Sequence, residues 1–398
     1  MSDRAGRLAL VPPRFGPEIV GGAELVLREL AQGLAARGWS VEVLTTCARD
    51  HFTWANEYEP GVEDLDGVTV RRFPAAPPAG PAERAGLEAA ILAGARLSLG
   101  EQERWMNAGV RAPGLYHHLL ERAGDYRAIV CSPYLSWTTF ACAQIAPERT
   151  ILRPCLHDEP YASLELFQPV FSGVAGMWLQ TDPEHELAHR LFSLPRRHRV
   201  VGEGVPVAET YDPSGFRRRY GIEGDFVLYA GRREGAKGWE QLLEGYARAV
   251  RRRRLPLSLV TVGVGEVRPP ADIADRVIDL GLVPDRDRDG ALAAAAAYVQ
   301  PSRYESFSRT VMEAWLAGTP VIANGESAVV SWHCERSDAG LLYTDPYELE
   351  QCLAFVAEAP EDAAKLAAPG RQYVLEHYTW PAVMDRMEQT IGEWTCAS

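Results

Sequence analysis

Short apolar runs alternate with amphipathic stretches along this chain. RLALV (7–11) is followed by a Pro/Gly-rich loop, PPRFGPEIVGG, and then by AELVLRELAQGLAAR, where Leu27, Leu30, Ala31 and Leu34 recur at helical spacing. Gly38 stops that helix, and SVEVLTT (40–46) reads as the next strand. Strand, glycine-rich turn, helix, strand is a βαβ unit, which implies a parallel sheet. VTVRRF (68–73), AIVCS (128–132), TILRP (150–154) and GMWLQ (176–180) continue the series. PAAPPAGPAERAG (74–86) reads as a mobile loop from its proline and glycine content.

A second alternation starts at DFVLYAGR (225–232) and the helix GWEQLLEGYARAV. LSLVTVGVG (257–265), VIDLGLV (277–283), an alanine-rich helix, AYVQPS (297–302), a further helix and PVIAN (320–324) follow. GLLYT and three helical stretches close the chain. At 398 residues the chain is too long for one ordinary core, so two α/β domains are expected, with a boundary near VVGEGVPV (200–207). Ligands of such sheets bind at the carboxyl ends of the strands, and two domains face to face make a cleft.

Composition narrows the function classes. Hydrophobic content of 46% with 24% charged residues fits a globular, soluble chain. A net charge of −13 argues against nucleic acid as the main partner, because phosphate neutralisation needs a clustered basic face. The basic runs RRHR (196–199) and RRRR (251–254) read as solvated helix ends, and they leave room for a peripheral membrane contact. Seven cysteines, Cys47, Cys131, Cys142, Cys155, Cys334, Cys352 and Cys396, are scattered without a CxxC pair, which suits free thiols in a reducing compartment. MSDRAGRLALV is too short an apolar run for a signal peptide, and no run approaches the roughly 20 residues that span a bilayer. The expectation is a cytoplasmic protein, with a place at the inner face of the membrane left open.

One stretch carries candidate chemistry: RYESFSRTVMEAW (303–315), running on into LAGTPVIAN. Val311, Ala314 and Trp315 share a helix face, and Gly318 and Pro320 end the helix. Glu305 stands just before the helix and Glu313 eight positions on, about 12 Å of rise, on roughly the same side. Between them the helix start offers N–H groups at Ser308, Arg309 and Thr310 and about half a positive charge. An elongated ligand with hydroxyls at both ends and an anionic middle, such as a nucleotide-sugar, fits that layout. Ordinary helix design, with Glu305 near an N-cap and Glu313 on the wet face, fits the spacing too.

PSRYESFSRTVMEAWLAGTPVIA resembles the E-x7-E signature of the retaining glycosyltransferases of family 4. YAGRREGAKGWEQLLEGYA resembles that family's G-R…K-G element, and IVGGAELVLREL and LHDEPY (156–161) match its N-terminal motifs, in the family's order. The resemblance implies the GT-B fold, two Rossmann-like α/β domains with parallel sheets facing across a cleft. The acceptor-side domain would be 1–204 plus a crossing helix at 380–398, and the donor domain 205–379. It further implies an NDP-sugar-dependent hexosyltransferase, using UDP, GDP or another nucleotide, acting on a glycan, lipid-linked or natural-product acceptor in carbohydrate biosynthesis. Arg232 and Lys237 would bind the donor diphosphate, Glu313 the ribose, and the amides of Ser308, Arg309 and Thr310 the phosphate. Glu305 would lie at the transferred sugar, Val283 at the base, and His157 on the sugar and acceptor side. Gly22 would let the N-terminal loop approach the donor. At the domain junction Gly202-Glu-Gly-Val205 replaces the Asn-Gly-Val stretch of many relatives.

The implied chemistry uses no metal and no cofactor, since the nucleotide-sugar is a co-substrate. Charge on a departing diphosphate then needs fixed cationic partners: a guanidinium fork at Arg232, an ammonium at Lys237, a helix dipole. Retention through a carboxylate nucleophile would need a second carboxyl about 5 Å from an acid. No such nucleophile is identified, and the family is thought to use front-side attack. Other motifs read otherwise. His185-Glu-Leu-Ala-His189 matches the HExxH of zinc metalloproteases, but the extended form needs glycine where Phe192 stands, and only Glu203 or Glu209 offers a distant third ligand. Asp285-Arg-Asp-Arg-Asp289 contains DxD but reads as an acidic first helical turn, and His157-Asp158-Glu159 as consecutive residues that rarely share one ion. Trp105, Trp137 and Trp178 read as core first and as acceptor-cleft residues second. A nucleotide-sugar epimerase or hydrolase on the same fold, an HExxH protease and a non-catalytic sugar-nucleotide sensor remain as rivals.

Overall fold

The computed structural model describes residues 6–19 and 21–395; Cys396 lies outside them. The chain divides into two compact units, Met1–Gly204 with Val383–Ser398, and Val205–Ala382.

The first unit is built on eight strands: β1 (Arg7–Val11), β2 (Ser40–Thr46), β3 (Gly61–Leu65), β4 (Val68–Phe73), β5 (Ala128–Cys131), β6 (Thr150–Leu152), β7 (Gly176–Leu179) and β8 (His198–Val200). Their order is β3-β4-β2-β1-β5-β6-β7-β8. All neighbours are parallel except β3 and β4, an antiparallel pair at one edge. β1 is the centre, with Leu8 registered against Val41 of β2 and Ala128 of β5. Its apolar residues are buried on both faces, as helices on either side of a parallel sheet require. The terminal helix Trp380–Trp394 returns to this unit from Val383 onward. Trp178, fully buried on β7, donates from Nε1 to Thr390 Oγ1 of that helix at 2.7 Å.

The second unit holds six strands, β9 (Asp225–Ala230), β10 (Leu257–Val262), β11 (Val277–Asp279), β12 (Ala297–Gln300), β13 (Val321–Asn324) and β14 (Leu341–Tyr343), in the order β11-β10-β9-β12-β13-β14. Every pair is parallel. Consecutive residues go to opposite cores, as the two-residue period of a strand demands. Leu228, Val260, Tyr298 and Val321 face a cluster containing Phe307, Val311 and Trp315. Val227, Leu259, Val299 and Ile322 face one containing Trp239, Leu242 and Tyr246.

The two Rossmann-like α/β sheets are those expected, and each apolar run became a strand. Three local readings are corrected. β3 and β8 were missed: both are edge strands with one neighbour, GVEDL is largely exposed, and HRV is only half-buried, so neither carries an apolar run. The RRHR run therefore leads into β8 and is not a solvated helix end. The segment 74–86 is not all loop, because Gly80 adopts φ 67° and Pro81 starts a helix, Pro81–Leu92, at the position where its missing N–H is harmless. After β14 four helices follow among the described residues, Pro346–Glu358, Pro360–Lys365, Ala367–His377 and Trp380–Trp394. Among the described residues no helix is long and apolar enough to cross a membrane, and the six described cysteines are free.

Candidate active site

The carboxyl ends of β9 and β12 bring the C-terminal candidates together. After β9 the chain runs through Arg232 into a single turn, Gly235–Lys237, closed by Gly238 at φ 72°. A Cβ at Gly238 would lie 2.4 Å from the Pro301 carbonyl oxygen, in the loop leaving β12. Only glycine lets these two backbones approach so closely. Asn324 at the end of β13 donates to that same carbonyl at 3.1 Å, fixing the loop from the other side. The approach places Lys237 Nζ 2.8 Å from Glu305 Oε1. The pair is mostly covered, with side-chain exposures of 29% and 13%. Arg232 is more open and lies 3.3 Å from Glu234, while Tyr229 donates to its backbone carbonyl at 2.5 Å. Neighbouring Arg233 is tied down by Thr261, the Gly263 and Gly265 carbonyls and Asp279, so it serves the loop's structure.

The helix after β12 begins at Arg309 and ends at Leu316. Ser308 precedes it in the left-handed region at φ 67°, which costs a non-glycine residue roughly 1–2 kcal/mol. Gln300 of β12 donates to its buried hydroxyl at 2.7 Å and holds it there. Glu313 is not on the wet face: it is 7% exposed. Arg309, one turn earlier, donates to it from Nε at 2.9 Å, and Arg288 stands at 3.4 Å. Burial opposes the charge of Arg288, but Glu313, Asp285 and Asp289 around it hold its pKa above the ordinary arginine value. Arg288 was missed because it sits inside DRDRD, where acidic residues draw attention. Asp287 of that motif is spent on Arg219 and on the Tyr220 hydroxyl at 2.9 Å. Val283 packs against the core near exposed Leu282.

In the N-terminal unit Gly22 opens the helix Gly22–Ala36, and a Cβ there would meet nothing within 4 Å. His157 is partly exposed, its Nδ1 3.7 Å from Glu159 Oε1. Glu159 accepts from Tyr134 at 2.9 Å, and Asp158 turns to Arg190 at 2.7 Å, so Asp158 has a partner of its own while His157 and Glu159 stand beside each other. Behind His157 lies a buried polar cluster that sequence reasoning missed. Arg153, fully buried, pairs with Glu203 of the junction at 2.6 Å, and Gln180 also donates to Glu203. Glu184 accepts from the backbone N–H of Leu156 at 2.7 Å and of Gln180 at 2.5 Å. Burial pushes the Glu184 carboxyl up to about 7, against the pull of those N–H groups and Arg153. Glu203 is thus engaged, and no third ligand for His185 and His189. The residue beside them is His198 of β8. Trp105 and Trp178 are core, whereas Trp137 is half-buried and donates to Asn107 at 3.2 Å.

Residues 224–358 match the family described as glycosyl transferases group 1. A D-inositol 3-phosphate glycosyltransferase of Jonesia denitrificans is 32% identical over 353 residues, covering 82% of this chain and 80% of that protein. Sucrose-phosphate synthase of Thermosynechococcus elongatus superposes with a TM-score of 0.74 at 20% identity, over 99% of this chain and 100% of that one. Anabaena HepE in complex with UDP-glucose superposes with a TM-score of 0.71 at 17% identity, over 98% and 100%. The likeness extends along both sheets and not only along the motif-bearing half.

Proposed function

The chain belongs to glycosyltransferase family 4, and from that membership we propose that it transfers a sugar from a nucleoside-diphosphate sugar to an acceptor hydroxyl, with retention and without a catalytic metal. The observation that carries this reading is the convergence of Lys237, Glu305, Glu313 and the Ser308 turn at the carboxyl ends of β9 and β12. Departure of the sugar leaves negative charge on the diphosphate. Lys237 has three donors on one ammonium, so it can keep Glu305 and still meet a phosphate oxygen. Arg232, with its guanidinium partly open, supplies a forked partner, and the start of the Arg309–Leu316 helix supplies aligned N–H groups. These groups are fixed before reaction, so little reorganisation is needed as charge develops.

Glu313 takes the ribose hydroxyls. Arg309 and Arg288 orient the carboxylate and leave part of its acceptor capacity for the ligand. Glu305, anchored by Lys237, takes hydroxyls of the transferred sugar, and Val283 with Leu282 offers an apolar face for the base. In the N-terminal unit Gly22 keeps its loop open, and His157 orients sugar or acceptor for attack from the face the diphosphate leaves. The acceptor is a glycan, a lipid-linked sugar or a natural product. A thermal-shift screen of UDP-, GDP-, ADP- and TDP-sugars tests the reading, since a ligand bound only by the folded state raises its stability. One nucleotide class should raise Tm by several degrees in the parent and not in Glu313→Ala. An equal shift in both proteins overturns the donor assignment.

A further inference from the structure

Three histidines in the N-terminal unit stand apart from this machinery. His185 and His189 are one turn apart on the helix Asp182–Leu191, and so share a face. His198 is the first residue of β8, reached after a six-residue connection. The ring centroids lie 4.6, 5.0 and 5.2 Å apart. Ligand-capable nitrogens from all three lie within 4.8 Å of one another. His185 Nε2 is buried and has no hydrogen-bond partner among the described residues. His198 Nδ1 lies 2.8 Å from the Pro195 carbonyl oxygen. A carbonyl only accepts, so the proton sits on Nδ1 and Nε2 carries the lone pair. That is how metal-bound histidines are held, with the second nitrogen donating to a carbonyl or carboxylate.

We propose that His185, His189 and His198 bind a transition-metal ion, zinc by preference, which clamps the Asp182–Leu191 helix to the edge strand β8. Three imidazoles suit zinc, copper or nickel and not the oxygen-seeking magnesium or calcium. A tetrahedral zinc with Zn–N of about 2.0–2.1 Å sets ligand nitrogens about 3.3 Å apart. Rotation of the exposed His189 side chain closes the remaining gap, and water fills the fourth position. The role is structural. His198 opens β8, so the trio lies at the amino end of that strand, whereas sugar nucleotides bind at carboxyl ends. β8 is three residues long and has only β7 beside it in the sheet, so a cross-link to the helix stabilises a short sheet edge. The HExxH spacing thus marks a clamp, not a protease.

Calorimetric titration of chelator-stripped full-length protein with zinc chloride tests this, with cobalt(II) ligand-field absorption as a second readout. The parent should take up one equivalent, and zinc at about 100-fold over its Kd should raise Tm by several degrees. His189→Ala, at an exposed position that leaves folding intact by circular dichroism, should lose at least about 100-fold in affinity and lose the Tm rise. His198→Gln should do the same. Absence of stoichiometric binding by the parent, or affinity unchanged in both variants, overturns the site.

Discussion

The two units share a parallel-sheet plan and use their charges in opposite ways. The C-terminal unit gathers Arg232, Lys237, Glu305 and the Arg288–Glu313–Arg309 group at one end of its strands, partly open to a ligand. The N-terminal unit hides Arg153, Glu184 and Glu203 beneath the loop that carries His157. Charges that meet a diphosphate must stay accessible. Charges that only position backbone are best covered, where hydrogen bonds are strongest and each partner is obligatory. The same difference separates a site written in one short motif from one spread over distant loops.

The largest effect should come from the hidden charges. Glu203→Ala leaves the Arg153 guanidinium buried and unpaired, and should destabilise the N-terminal unit by about 3–5 kcal/mol in urea unfolding. Donor affinity of whatever remains folded should be unchanged if the two units divide their labour as described. In the C-terminal unit, Gly238→Ala forces a Cβ against the Pro301 carbonyl and parts Lys237 from Glu305. A loss of about 100-fold in kcat/KM is expected, with stability lowered by roughly 1–2 kcal/mol for the left-handed backbone alone.

Acidity should tilt the units in opposite directions. Glu184 is raised by burial to about 7 from its ordinary 4.5, so the folded state holds its proton more tightly than the unfolded chain. Its contribution is fully present below the lower value and fades as pH rises through the higher one. His333 in the C-terminal unit is pushed down by burial to about 3 from 6.5, so the unfolded chain binds the proton better. That unit loses stability as pH falls below the ordinary histidine value. Calorimetry at pH 7 and pH 5 should show the N-terminal transition gaining on the C-terminal one, and Glu184→Gln should reduce the gain by roughly 2–3 kcal/mol. The smallest effect is expected at Arg288→Ala, which leaves Arg309 to orient Glu313. About 10-fold weaker donor binding by titration calorimetry, with Tm nearly constant, would sharpen the comparison.

What the sequence made legible follows the same divide. Interior strands such as RLALV and DFVLYA announce themselves because burial on both faces demands unbroken apolar runs. β3 and β8 at the sheet edge carry no such demand and were passed over. Glu305 and Glu313 are eight residues apart in one readable motif, but Glu305 lies in the loop before the Arg309–Leu316 helix, and the left-handed turn at Ser308 interrupts the helical rise the spacing suggests. Arg288 reaches Glu313, Arg153 reaches Glu203 and His198 reaches His185 only through the fold. No local spacing encodes such contacts. Lys237 beside Glu305 is an intermediate case: both lie in readable motifs, but their pairing depends on the close approach at Gly238.

The account turns on fixed cations neutralising the donor diphosphate, and titration calorimetry of the matching sugar nucleotide in metal-free buffer measures that most directly. The parent should bind without added divalent ions, and Arg232→Ala and Lys237→Ala should each weaken binding by about 100-fold, the scale of a lost charge-assisted contact in a partly closed site. Binding by both variants within a factor of about two of the parent, or binding by the parent only when a divalent ion is added, would contradict it.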